Sequence, residues 1–181
     1  MDHSSEAKDT TVLCLGDVNA DQVEQFLQSI GLTLTTVGAE STIPASFWGD
    51  PEAGIRKNEL FARPDTPLHS ILHEACHYLC MSADRKETLD TDAGGDYAEE
   101  NAVCYLQILM AARLEEFGRA RCMADMDRWG YSFRLGSARA WFENDAEDAH
   151  RWLIQRGLLA DAGERRTFRA EAQGRGGKEK N

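Results

Sequence analysis

The stretch from Pro67 to Met81, PLHSILHEACHYLCM, constrains this chain most, because it sets His73-Glu74-Ala75-Cys76-His77 inside a helical period. Residues four apart share one face of a helix, so the two imidazoles of an HExxH pattern can converge on one cation. Glu74 then stands beside the cation, placed to take a proton from a bound water. Thr66 is a good N-cap and Pro67 suits the first helical position. Leu68, Ile71, Leu72, Ala75, Cys76 and Leu79 recur at three- and four-residue spacings and form one apolar face. A shuffled chain of this composition would contain HExxH in about one case in a hundred. The plain alternative is a pair of hydrogen-bonded core histidines; the placement on an apolar helix face favours a buried metal half-site.

A catalytic zinc takes three protein ligands and a water, so a third ligand is required. His69 lies on the same row, but positions 69, 73 and 77 span about 12 Å along a helix axis. Ligands about 2 Å from one ion cannot all come from that row. The third must arrive from another element. A long helix is expected from Asp96 or Tyr97 to about Phe117, with Gly118 as its stop. It carries Ala98-Glu99-Glu100-Asn101-Ala102. Glu99 shares its face with Ala102, Val103, Leu106, Met110, Leu114 and Phe117, an apolar stripe expected to face the core, which favours Glu99 as the ligand. Glu100 shares a more mixed row with Cys104, Gln107 and Ala111 and is the alternative. A capping box, with Glu99 reaching back to the Asp96 amide, would leave Glu100 the better placed of the two.

HExxH followed on a second helix by Glu resembles the gluzincin branch of the zincin metallopeptidases, and more closely the small ImmA/IrrE-type peptidases. The residues that carry the likeness are His73-Glu74-Ala75-Cys76-His77-Tyr78-Leu79 and Glu99-Glu100-Asn101-Ala102-Val103-Cys104-Tyr105, ending in Ile108-Leu109-Met110, so it covers roughly residues 55 to 112. The resemblance implies a zinc ion held by His73, His77 and Glu99, with Glu74 as general base. The chain departs from that pattern in two places. Those families usually carry Asn or Asp four residues after the ligand Glu, supporting a histidine, where this chain has Val103; and their Pro after the Leu-Met run is Ala111. Losing such support can cost ten- to a hundredfold in affinity or activity. The departures leave room for a second reading, a zincin-like metal-binding module of weak or no activity that works through protein–protein interaction.

Charge narrows the partners. The chain carries a net charge of −11, yet residues 164–181 hold six Lys/Arg against three Asp/Glu, which puts the rest at −14. So acidic a body repels phosphate backbones, so no nucleic-acid partner is expected. No apolar run approaches a membrane span and no secretory signal opens the chain. Five cysteines without framework spacing point to a reducing, cytoplasmic setting. Cys76, Cys80 and Cys104 could crowd the site, since thiolates bind zinc well, but the expected role is that of a small buried hydrophobe.

The expected organisation is a disordered N-terminus over 1–10, one α+β domain over 11–162, and a disordered basic tail over 163–181. Within the domain, 11–15 reads as a strand, a helix runs from Asn19 or Asp21 to Ile30, and 32–37 reads as a second strand, together an opening beta-alpha-beta motif. Residues 38–54 are mostly loop, with a short strand conceivable at 45–48. Residues 55–62 read as one strand whose free edge could receive an extended peptide. Residues 82–96 read as polar turns. Residues 119–160 read as short helices, capped by Ser137 and Asp145, whose aromatics pack the core or line a cleft. Tyr97, Tyr131 and His150 are candidate donors to an oxyanion. The whole reads as a small mixed sheet, a zincin-like helix pair and a helical C-terminal part. The expected activity is that of a zinc-dependent hydrolase, a metallopeptidase acting on a peptide or protein.

Overall fold

In a computed structural model, which describes residues 11–160, the chain is α+β: seven helices and one small mixed sheet. The expectations for 1–10 and for the basic tail lie outside the described residues. α1 (Ala20–Ser29) starts at Asn19, whose side chain accepts the Asp21 N–H, and Gly31 ends it at φ +91°. It buries Val23, Phe26 and Leu27 and packs on β1 (Thr33–Thr36). The sheet order is β1-β3-β2, with β3 (Glu59–Ala62) parallel to β1 and antiparallel to β2 (Gly54–Arg56).

Two strand expectations are corrected. Residues 55–62 form a hairpin rather than one strand: Lys57, at φ +51°, turns the chain so that Ile55 pairs with Leu60. β3 is therefore the central strand, with both edges taken. Residues 11–15 join no sheet. Leu13 and Leu15 instead exchange backbone hydrogen bonds with Leu68 and Thr66 at the start of α2, Cys14 bridges Pro67, and the Leu13 N–H donates to buried Asp125. The opening beta-alpha-beta motif is thus replaced by a clasp over the N-terminus of α2. At 45–48 only Ser46 bridges Gly54.

α2 (Leu68–Cys80) runs through the middle of the molecule, buried at 11 of its 13 positions. Pro67, not Thr66, is its N-cap; the Thr66 hydroxyl is turned to the Arg63 N–H instead. The polar stretch after it holds a short helix, α3 (Ala83–Thr88), capped by the Ser82 hydroxyl. α4 (Tyr97–Ala111) starts at Asp96 and packs along α2; it stops at Ala111, short of the expected Phe117. α5 (Gly118–Trp129), α6 (Ala138–Asn144) and α7 (Glu147–Gln155) close the fold, α5 and α7 against α4 and α6 against α5. Ser137 caps α6 as expected; α7 starts at Ala146 rather than Asp145. Tyr105 stacks on Phe142, and Phe133 on Trp141, so this part of the aromatic set is core. Among the described residues no helix is long and apolar enough to cross a membrane.

Candidate metal centre

The helical spacing of HExxH brings the two imidazoles of α2 together, with His73 Nε2 and His77 Nε2 3.1 Å apart. The carboxylate that meets them from α4 is Glu100: Oε1 lies 3.1 Å from His73 Nε2 and Oε2 3.2 Å from His77 Nε2. Among the described residues this is the one group of three or more His, Cys, Asp or Glu side chains whose ligand atoms converge, all within 4.8 Å of one another.

The expectation of Glu99 at this point is corrected by the geometry. Glu99 is buried, as the face argument requires, but its carboxylate accepts two hydrogen bonds from Arg85 Nη1, each 2.9 Å. The same guanidinium donates from Nη2 to the Ala93 carbonyl at 2.7 Å. Nor is a full capping box formed: Asp96 accepts the Glu99 N–H, while the Glu99 side chain stays on Arg85. The reason is that α4 is buried on every face from Ala102 to Ala111, so an apolar stripe does not say which side meets α2. The row that meets it is the mixed one, Glu100-Cys104-Gln107-Ala111, because only polar atoms can hold imidazoles in place.

Gln107 is the residue that sequence reasoning underrated. Its amide N–H₂ donates to the His69 carbonyl at 2.7 Å, which fixes its orientation, so its Oε1, 3.0 Å from His73 Nδ1, must accept from that nitrogen. His73 thereby keeps a proton on Nδ1, and its Nε2 is turned to His77 and Glu100, where it holds a proton for Glu100 or, with that proton displaced, a lone pair for a metal. A signal was present: Gln107 stands two turns beyond Glu100 on an otherwise apolar helix. It occupies the supporting role for which Val103 is unsuited.

Chemistry of the donor set tests whether a metal fits. An Nε2 lone pair and two carboxylate oxygens pressed against a second Nε2 repel one another unless a cation or proton stands among them. Ligands at about 2.05 Å from a tetrahedral zinc lie about 3.3 Å apart, close to the 3.1 and 3.2 Å separations found. Glu74 sits next to them, buried, with Oε2 lacking any partner among the described residues. Burial raises its pKa, against the pull of His73 and His77. Glu100 is held well below the ordinary carboxylate range: burial opposes the shift, and hydrogen bonds from the two histidines outweigh it.

The group lies at the centre of a cleft with two arms. One, of about 350 Å³, is lined by Glu52, Ser70, Trp129 and Tyr131; the other, of about 140 Å³, by Phe47 and residues 91–94; Trp48, His73, Glu74 and Glu100 line both. Tyr131, one of the expected oxyanion donors, opens on the larger arm, with its hydroxyl 3.1 Å from His69 Nδ1. Tyr97 is exposed and His150 packs on Tyr105, and neither lines either arm. His69 is thus a positioning neighbour and not a ligand, and Cys76 and Cys80 are buried free thiols. Trp48 and Glu52 come from a loop that carried no motif. No family model, curated protein or solved structure matches the chain.

Proposed function

We propose that this chain is a zinc-dependent hydrolase, a metallopeptidase of zincin type, with His73, His77 and Glu100 as the metal ligands and Glu74 as general base. The observation that carries the reading is the convergence of three ligand atoms on one point, with an unpartnered buried carboxylate of Glu74 beside them. Bound zinc would polarise a scissile carbonyl and acidify a water. Glu74, with its pKa raised by burial, suits a group that accepts a proton at neutral pH and passes it to a leaving amine. Gln107 keeps the Nδ1 proton of His73 in place so that Nε2 can face a metal, and Tyr131 lines the larger arm beside it. Two arms on either side of the metal suit an extended peptide or protein segment crossing it. Five free thiols fit a cytoplasmic setting.

Metal analysis and peptide-library cleavage test the proposal together. Purified protein should hold about one zinc per chain; His73→Ala should lose it, and Glu74→Gln should keep it while losing cleavage. Cleavage undiminished in Glu74→Gln would overturn the mechanism. Zinc retained with no cleavage of any peptide would favour the metal-binding interaction module, for which the exposed Phe47–Trp48 pair beside the cleft is the supporting observation.

A further inference from the structure

The larger arm of the cleft contains a carboxylate that metal binding and proton transfer leave unused. Glu52 lines it with Glu74 and Glu100, and no Lys or Arg does. Glu100 faces two histidines and Glu74 is the proposed base. Glu52 is half-buried, and among the described residues no Lys or Arg pairs with it.

Its position is built rather than incidental. Trp129, at the end of α5, donates Nε1–H to Glu52 Oε1 at 2.9 Å, across 77 residues of sequence. The next residue, Ala53, is buried and donates its N–H to the Ser70 hydroxyl of α2 at 2.9 Å, one turn before His73 and Glu74. Glu52 is thereby fixed at both its backbone and its side chain. One carboxylate oxygen is engaged and the other is left for a ligand. The indoles of Trp48 and Trp129 line the same arm, and π-faces beside a carboxylate attract cations. Burial raises the Glu52 pKa, against the Trp129 hydrogen bond and the charge of His73, so an incoming positive charge relieves a carboxylate that is poorly solvated.

We propose that Glu52, with Trp48 and Trp129, forms a subsite for a cationic group of the substrate, an ammonium or guanidinium, held one arm's length from the bond to be cut. The inference rests on the hydrolase reading for its substrate, but binding can be read without turnover. The group could come from a basic side chain or from the substrate's α-amino end, and the test separates the two.

Zinc-loaded Glu74→Gln protein, with Glu52 intact or as Glu52→Gln, is titrated with three peptides while tryptophan fluorescence is followed. The first is acetylated and amidated with a central lysine; the second carries norleucine in its place; the third has a free α-amine and no basic side chain. With Glu52 intact, at least one of the two cationic peptides binds about tenfold more tightly than the norleucine peptide, and Glu52→Gln abolishes the difference. Which of the two it is identifies the source. Glu52→Gln keeps an oxygen for Trp129 and so should fold; Glu52→Lys serves as the second variant and should turn the preference against cations. Equal affinity for all three, or a preference that survives Glu52→Gln, overturns the subsite while leaving the hydrolase reading intact. A Glu52-dependent preference in a protein that cleaves nothing keeps the subsite and removes the hydrolase. No binding of any of the three peptides overturns the subsite, and the hydrolase reading is then decided by cleavage alone.

Discussion

Glu100 and Gln107 stand seven residues apart on one row of α4, and together they decide what the two histidines of α2 can be. Glu100→Gln removes a charged oxygen donor from a set of three, so zinc content should fall from about one per chain to near zero at equimolar metal. Glu99→Gln should keep its zinc, since that carboxylate faces Arg85. Plasma mass spectrometry on the two proteins in parallel checks this, and loss of metal with Glu99 alone would refute the assignment. Gln107→Leu has a subtler expected effect. With no acceptor at Nδ1, His73 is free to move its proton to Nε2, and zinc affinity should drop about ten- to a hundredfold; competition with a chromophoric chelator measures it. That the two histidines share a helix face beside a glutamate was legible in the sequence from helical periodicity, and so was a second helix bringing a carboxylate to them. That Glu99 is buried was legible too; that half-exposed Glu100 is the one that meets the histidines was not, because α4 is buried on every face from Ala102 to Ala111 and an apolar stripe does not say which side faces α2.

At the scale of elements, Glu99 has a different task. Its carboxylate holds Arg85 of α3, and Arg85 holds the Ala93 carbonyl, so one guanidinium joins α3, the 89–96 loop and the first turn of α4. Gly95 lies against that carboxylate at φ +99°; a Cβ there would come within 2.9 Å of it. The same loop walls the smaller arm of the cleft at residues 91–94, so the clip shapes the site without touching it. Removing Arg85 strands a carboxylate whose side chain is 8% exposed, while the lost arginine is itself 38% exposed. Arg85→Ala should therefore cost about 2 kcal/mol, less than for a fully buried pair, and Arg85→Ala/Glu99→Gln should recover part of that loss. Urea unfolding of the three proteins gives the coupling, and simple additivity would show that the pair is not a clip. α3 escaped the sequence reading because six residues with no buried face leave no apolar period. The hairpin at 54–62 escaped it because Lys57 and Asn58 interrupt the alternation without the Gly that usually marks such a turn.

Across the whole molecule, the proposed metal site is tied to the core through a short polar chain. Tyr131 follows α5 and meets His69 of α2 through its hydroxyl; Gln107 of α4 donates to the same hydroxyl at 3.4 Å and to the His69 carbonyl. Three helices are thus pinned at one fully buried imidazole whose Nε2 has no partner among the described residues. Burial, and after it the charge of His73, push the His69 pKa from 6.5 down to about 3. The sign of the consequence follows directly. Between those two values the unfolded chain binds a proton at this residue and the folded chain refuses it. Acid therefore favours unfolding across that window, and His69 contributes no slope above it. The slope approaches about 1.4 kcal/mol per pH unit where the difference is one full proton. His69→Gln, which keeps a polar side chain but cannot titrate, should start less stable at pH 7 because the Tyr131 contact is altered, yet lose stability more slowly as pH falls from 6 to 4. Carboxylates protonating in the same range act on both proteins, so the difference between the two curves isolates His69. Parallel curves from urea melts of the metal-free proteins would mean that the imidazole takes up its proton without unfolding, and that the polar chain under the site yields instead of holding.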